Sequence, residues 1–309
     1  MLSHALKRLL AAVPTLLLLI TLAFFLMRAA PGGPFDRERA LPPQIEAALQ
    51  AEYHLDQPLW RQYLHYLGGL AHGDLGPSFQ YSGFSVSELI ASGAPVSFKL
   101  GACAMILAVL LGGLLGCLAA LRRNSAFDRA LMALAMLGLS VPNYVVAPLL
   151  ILLFAIALGW LPAGGWSVHG SADAVLPVIA LALPQIATIA RLMRASMIET
   201  LSANFIRTAR AKGLPMRTIV WRHALKPAAL PVLSYLGPAA AGIVTGSVVI
   251  EQVFGIPGIG RYFVQAALNR DYTLVLGVVI FYGALIILFN FLVDLLYGML
   301  DPRMRLGRN

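Results

Sequence analysis

Leu9-Leu10-Ala11-Ala12-Val13-Pro14-Thr15-Leu16-Leu17-Leu18-Leu19-Ile20-Thr21-Leu22-Ala23-Phe24-Phe25-Leu26-Met27 contains no charged side chain. As a helix rising 1.5 Å per residue, a run of this length covers about 28 Å, close to the hydrocarbon thickness of a bilayer. His4, Lys7 and Arg8 precede it and Arg28 follows. Basic residues before an apolar run, with Ala29-Ala30 after it, also fit a cleaved signal peptide. The run is long for that role and Arg28 closes it directly, so a retained membrane anchor is the expectation.

Five further apolar runs follow, at about 100–121, 130–158, 174–194, 229–250 and 274–298. Across 309 residues the chain is 59% hydrophobic and 12% charged. Soluble domains sit near 45–50% and about 25%, so a water-soluble fold has nowhere to hide this much apolar surface. The expectation is an all-α integral membrane protein with six transmembrane helices. Residues 1–29 form the first, 30–97 a water-compatible segment, 98–300 a core with the other five, and 301–309 a tail. Pro142, Pro148, Pro177 and Pro184 fall inside apolar runs, where neighbouring helices can satisfy the carbonyls that proline frees. Within 30–97, Pro43 opens an expected helix to about Tyr53. Asp56-Gln57-Pro58 reads as a second helix start, running through Trp60, Tyr63, Leu64 and Leu67 to Gly68-Gly69. Gly73, Gly76 and Pro77 mark a turn-rich stretch.

A net charge of +9 would suit nucleic acid if it were spread over a soluble surface. Instead the basic residues cluster between apolar runs. With the N-terminus inside, the inner segments carry 16 of them (Lys7, Arg8, Arg122, Arg123, Arg129, Arg191, Arg194, Arg207, Arg210, Lys212, Arg217, Arg222, Lys226, Arg303, Arg305, Arg308) against Asp128, Glu199 and Asp301. The asymmetry predicts that both termini are cytosolic and that 30–97 is periplasmic. Ser125 and Ser202 would then lie inside, Ser78 and Ser171 outside. No role with nucleic acid is expected.

Several chemistries have no support. Cys103 and Cys117 are fourteen residues apart in one apolar helix, about 21 Å along its axis and beyond disulfide reach. The six histidines show no metal-ligand spacing, and His54, His65 and His72 read as solvated or capping side chains. There is no Gly-x-x-x-x-Gly-Lys-Ser/Thr loop, no His-Glu-x-x-His and no Gly-x-Ser-x-Gly. Gly255-x-x-Gly258-x-Gly260 reads as a turn, and Gly112-x-x-x-Gly116 and Gly242-x-x-x-Gly246 as helix-packing faces. A secondary transporter should show midplane charges or paired broken helices. Asp294 is the one carboxylate inside an apolar run, where a hydrogen bond to a neighbouring helix is the simplest role. A membrane enzyme would need a catalytic cluster, and none is visible.

The stretch 195–228 is too long for a simple connector and is densely basic. Ser202 can cap a helix over Ala203–Lys212, with Phe205, Ile206 and Ala209 supplying apolar contacts. Gly213 stands where a helix ends in left-handed geometry. Pro215 can open a second short helix that Pro227 ends. A helix of about ten residues is marginal alone in water. Two readings remain open: docking into a partner's groove, or lying on acidic lipid.

Asn204-Phe205-Ile206-Arg207-Thr208-Ala209-Arg210-Ala211-Lys212-Gly213-Leu214 resembles the cytosolic coupling loop of ABC importer permeases. Their wider pattern is Glu-Ala-Ala-x-x-x-Gly; here Ala209 and Gly213 are kept, while Arg207 and Thr208 replace Glu and Ala, as in the peptide and nickel branch. Pro31-Gly32-Gly33-Pro34, Gly73-Asp74-Leu75-Gly76-Pro77-Ser78-Phe79, Glu251-x-x-Phe254-x-x-Pro257-Gly258-x-Gly260, Asn269-Arg270-Asp271-Tyr272 and Asp301-Pro302-Arg303 match that branch too. Within it the chain is most similar to the B-type permease of oligopeptide importers, a type I fold; carriers of dipeptides, heme or nickel are the alternatives. The resemblance implies a bacterial inner-membrane heterodimer with a C-type permease, two cytosolic ATPase subunits that hold ATP and Mg, and a periplasmic peptide-binding protein. It implies that Asn204 to Gly213 couple to an ATPase. It also implies that the loop with Glu251, Phe254, Pro257, Gly258 and Gly260 faces outward near the peptide. No cofactor is expected on this chain.

Overall fold

Proline opens or breaks several helices of this chain, at Pro58, Pro142 and Pro215, and a glycine in left-handed geometry follows others, at Gly213 and Gly255. The structure is a computed structural model that describes residues 2–29, 44, 50–51, 53–167 and 172–300. Among the described residues there is no strand, only an isolated bridge between Pro77 and Ser85. The helices are α1 Leu2–Ala29, α2 Leu59–Ala71, α3 Val86–Leu121, α4 Ala126–Ser140 and α5 Asn143–Leu150, the last continued by a π-helix over Ile151–Ala157. After them come α6 Val175–Ser202, α7 Asn204–Ala211, α8 Met216–Thr218, α9 Leu225–Val253, α10 Ile259–Leu268 and α11 Tyr272–Leu300. The second helix start expected at Pro58 is present, with Pro58 as the residue before the first turn of α2. The helix expected from Pro43 lies mostly outside the described residues, as do Ser171, the tail 301–309 and the side chain of Asp294.

Among the described residues, five stretches are long and apolar enough to cross a membrane: Leu10–Ala29, Val86–Leu121, Ala172–Ser202, Met216–Val253 and Tyr272–Val293. The run expected to cross at 130–158 is different. It is the pair α4 and α5 with its π-helix, bent by 105°. Pro142 forces the bend, because the residue before a proline is driven out of the helical region. Val141 is extended, at φ −91° and ψ 119°. This run is therefore a broken span or a re-entrant loop, not one straight helix.

The chain separates into two units: Met1–Leu9 with Phe98–Ile256 and Ile286–Asn309, and Leu10–Ser97 with Pro257–Leu285. The boundary drawn from sequence at 97/98 falls inside α3. Residues 257–285 cluster with Leu10–Ser97.

In the first unit α6 is the central post, touched by α4, α5 and α9. Its Leu176, Ala180, Leu181, Ile189, Ala190 and Met197 are almost wholly enclosed. One strong ion pair joins two of its helices. Arg194 of α6 grips Asp128 of α4 with Nε to Oδ1 at 2.6 Å and Nη2 to Oδ2 at 2.7 Å. The same carboxylate accepts the Asn124 N–H at 2.9 Å, and Ser125 Oγ caps α4 by accepting the Asp128 N–H. Bidentate geometry and extra donors are what make a buried carboxylate tolerable.

In the second unit Ile20 and Phe24 of α1 pack with Leu276 and Ile280 of α11 and with Tyr63, Tyr66 and Leu67 of α2. A second cluster gathers Val86, Leu89 and Ile90 against Ile259, Ala266, Leu274 and Val278. A polar knot closes this unit. Asp271 caps α11 by accepting the Leu274 N–H at 3.1 Å, and also accepts from the Ser78 hydroxyl and the Gln80 N–H.

Candidate functional site

The helix at the basic stretch is α7, Asn204–Ala211, one residue shorter at each end than expected. Ala203 precedes it and has no side-chain cap. Ser202 does not cap it: the Ser202 hydroxyl donates back to the Glu199 carbonyl at 2.7 Å, closing α6 instead. Ile206 and Ala209 are buried, and α7 touches the end of α6 and the π-helical turn over Ile219–Ala224. Arg207, Thr208, Arg210, Ala211 and Lys212 are exposed, and Phe205 is 49% exposed. One narrow apolar edge thus anchors the helix, and a basic face with an aromatic ring points away.

Gly213 ends α7 at φ +74°. Its N–H bonds to the Arg210 carbonyl at 2.9 Å, and the Leu214 N–H to the Ala209 carbonyl at 3.3 Å. This is the paired cap in which a left-handed residue turns two orphan carbonyls inward. No atom lies within 4 Å of a Cβ built at 213, so the glycine answers a backbone angle and not crowding.

Pro215 opens α8 as expected, with ψ 148°. Pro227 does not end the next helix. The chain continues from Met216 to Val253 through a π-helical turn at Ile219–Ala224, which holds the carbonyl four residues before the proline. That wider turn absorbs the steric conflict between the proline ring and the carbonyl four residues back.

The expected outer loop is packed more tightly than its reading implied. Glu251, Phe254, Gly258 and Gly260 are all buried, and only Pro257 is exposed. The Phe254 carbonyl accepts the Gly165 N–H at 2.8 Å, and Gly255 takes φ +65°. Glu251 and Phe254 belong to the first unit, Pro257, Gly258 and Gly260 to the second.

Two motifs far apart in sequence do meet. Ser78, from the Gly73–Phe79 stretch, donates to Asp271, from Asn269–Tyr272; both side chains are almost fully enclosed. The Thr273 hydroxyl adds a bond to the Pro77 carbonyl at 2.6 Å. Sequence reading took Asp271 only as part of a family motif; an Asp just before an apolar run is the local pattern of a helix cap, whereas its partner at 78 has no local signal. Beside this knot lies a cavity of about 240 Å³ with Phe24, Arg28, Tyr66, Asp74 and Tyr272 in its walls. The Arg28 guanidinium stands over the Phe24 ring at 5.2 Å, and burial pushes the Tyr66 phenol above its usual range. His54 and His65 meet edge to face at 5.1 Å, and His72 Nδ1 is 2.8 Å from the Gly68 carbonyl oxygen.

Residues 112–306 match the family described as the binding-protein-dependent transport system inner membrane component, and residues 1–85 match the N-terminal family of such membrane components. The chain is 58% identical over 305 residues to the oligopeptide transport system permease protein OppB of Escherichia coli, covering 99% of this chain and 100% of that protein. It is 57% identical to OppB of Haemophilus influenzae over the same lengths, and 46% identical to the dipeptide transport system permease protein DppB of Bacillus subtilis, covering 99% and 98%. Among solved structures, the inward-facing MetNI methionine ABC transporter superposes with a TM-score of 0.60 at 18% identity, over 69% of this chain and 96% of that one, a likeness of fold. The chain belongs to the family of binding-protein-dependent inner-membrane transport components, the permeases of ABC importers.

Proposed function

We propose that this chain is the B-type membrane subunit of an ATP-driven importer that carries oligopeptides from the periplasm to the cytoplasm. The carrying observation is 58% identity along the whole of a protein named for oligopeptide transport. Relatives named for dipeptide transport match at 46% and 40%. ATP hydrolysis belongs to separate ATPase subunits. The further partners are a C-type permease completing a heterodimer, two copies of the ATPase with ATP and Mg, and a periplasmic peptide-binding protein. Uptake of di-, tri- and pentaalanine by cells that depend on this system is the deciding measurement. Import of dialanine alone would move the assignment to a dipeptide permease.

Within this reading Asn204 to Gly213 form the helix that docks into an ATPase groove. What supports it is the outward Phe205 and basic face on a helix too short to be stable alone. A valine at 213 resists positive φ at a cost of about 1–3 kcal/mol. That is minor against a packed membrane protein but up to a hundredfold in a docking equilibrium, since about 1.4 kcal/mol is tenfold. Gly213→Val should leave membrane abundance near normal and weaken ATPase co-purification or uncouple hydrolysis from uptake. Wild-type coupling in that variant, with a new demand for anionic lipid, would favour the lipid-surface reading.

Cytosolic termini and a periplasmic 30–97 segment complete the proposal, supported by the charge asymmetry. Ser78 is too enclosed to report sidedness, so Ser82 replaces it. In spheroplasts an impermeant thiol reagent should label Ser82→Cys and spare Ser202→Cys. The reverse pattern inverts the topology.

A further inference from the structure

The cavity beside Ser78 and Asp271 is lined entirely by residues of the second unit, and it leaves polar groups unanswered. Arg28, half-buried, lines it at the end of the apolar stretch Leu10–Ala29. Its guanidinium stands over the Phe24 ring at 5.2 Å and the Tyr272 ring at 6.0 Å. Contact with ring faces leaves the N–H fork in the guanidinium plane open. Among the described residues no carboxylate pairs with that fork. A partly desolvated cation without a counter-ion is costly, so the cavity calls for an anion.

The same walls call for a donor as well. Gln62 is more than nine-tenths buried. Its Nε2 donates to the Leu55 carbonyl at 3.1 Å and to the Gln57 carbonyl at 2.7 Å. Two carbonyls decide which end of the amide faces them, so Oε1 is the other end, and it has no partner among the described residues. The Tyr66 hydroxyl is enclosed and has none either. Asp74, at the exposed edge of the cavity, adds a carboxylate. An open donor fork and open acceptors in one cavity describe a zwitterion. Phe24 lies one turn deeper in α1 than Arg28, and Leu276 one turn deeper in α11 than Tyr272, so the wall toward the membrane is apolar. At about 240 Å³ the cavity is smaller than the roughly 300–1,000 Å³ that encloses a drug-sized ligand. It has room for a headgroup whose tails stay outside.

We propose that this cavity holds the phosphoethanolamine headgroup of a membrane lipid, with its phosphate on Arg28 and its ammonium against Gln62 Oε1 and the Tyr66 hydroxyl. A choline headgroup has no N–H to give those acceptors, and a glycerol headgroup has no cation to set beside Asp74. Either leaflet can supply the lipid, so the site needs α1 to cross the membrane but fixes neither its orientation nor the cargo.

The test takes the full chain in its purified complex, stripped of lipid in detergent. It is titrated with dioleoyl phosphatidylethanolamine, phosphatidylcholine or phosphatidylglycerol, and retained lipid is counted by native mass spectrometry. At one site the ethanolamine lipid should bind at least tenfold more tightly than the other two, and Arg28→Gln should lower its count by one. Tyr66→Phe is the sharper variant, because it deletes an oxygen with no partner in the protein. It should weaken the ethanolamine lipid about three- to tenfold, the worth of one hydrogen bond, and leave the lipid-free melting temperature at or above wild type. Equal retention of the three lipids, the result expected if water alone fills the cavity, overturns the proposal. So does tighter choline binding, which would make the site an aromatic cage, or tighter glycerol-lipid binding, which would make it an anion site only. A lower lipid-free melting temperature in Tyr66→Phe would give the hydroxyl a structural role and overturn its part. Full competition by soluble glycerophosphoethanolamine at the lipid's own concentration would keep the zwitterion but overturn the lipid as its source. None of these measurements uses transport, so a wrong cargo assignment would leave each of them standing.

Discussion

Gly112 and Gly116 on α3 and Gly242 and Gly246 on α9 share one spacing, yet they press against different kinds of neighbour. A methyl at 112 would stand 2.9 Å from the Ile186 carbonyl oxygen, and one at 116 would overlap the Ala190 carbonyl oxygen. Those contacts are with backbone and with Cβ atoms fixed to it, Ile189 Cβ at 2.9 Å from 112 and Met193 Cβ at 2.8 Å from 116: α3 lies directly along α6. A methyl at 242 would meet Gln185 Nε2 at 2.8 Å, and one at 246 would meet Asn143 Nδ2 at 3.2 Å. There the glycines receive side-chain amides, and Gln185 Oε1 is held by the Tyr235 hydroxyl at 2.8 Å. Glycine spacing announces a narrow helix face without saying what fills it. Backbone has nowhere to go when a methyl arrives, whereas an amide on three rotatable bonds can yield.

The largest expected effect is therefore at Gly116. Gly116→Ala should cost about 1–3 kcal/mol or more through overpacking against an immovable carbonyl. It should lower the melting temperature of the detergent-solubilised subunit and reduce its abundance in the membrane. A wild-type melting temperature would mean that α3 can slide on α6 and that the two seams are alike after all.

An intermediate effect is expected at Gln185, which is nine-tenths buried. Gln185→Leu removes the acceptor of the Tyr235 hydroxyl. Hydrogen bonds between membrane helices are worth about 0.6–2 kcal/mol. A modest drop in melting temperature should follow, and Tyr235→Phe should reproduce most of it. If Gln185→Leu destabilises as much as Gly116→Ala, the amide seam is as rigid as the backbone seam.

How far the sequence foretold this molecule depends on which force fixed each element. The apolar runs were legible because lipid demands an unbroken apolar helix, and five of the six carry through. Gly213 was legible because few residues other than glycine tolerate that backbone angle. The break at Val141-Pro142 was read only as a tolerated proline inside one run: composition allows a 29-residue run, and what the bend packs against is a tertiary matter. Pro227 failed as a stop because a π-helical turn, which no local pattern announced, relieves it. Ser202 failed as a cap because its hydroxyl had a nearer carbonyl in the preceding turn. The Asp128–Arg194 and Ser78–Asp271 partnerships join residues 66 and 193 positions apart, which a single sequence cannot pair.

The smallest effect is the most diagnostic. At Gly242 two terms oppose each other. Alanine is favoured over glycine inside a helix by about 1 kcal/mol. Against that, the new methyl must push Gln185 Nε2 outward by a few tenths of an ångström while Tyr235 holds the other end of the amide. Gly242→Ala alone should therefore be close to neutral. In a Tyr235→Phe background the amide is no longer held and can rotate away, so the same substitution should stabilise. The two changes would then be non-additive by about 0.5 kcal/mol or more, as neighbours sharing one partner are. Thermal melts of the wild type, the two single variants and the double variant give the cycle directly. Strict additivity would show that Tyr235 does not fix the amide, and the contrast between the two glycine seams would lose its mechanism.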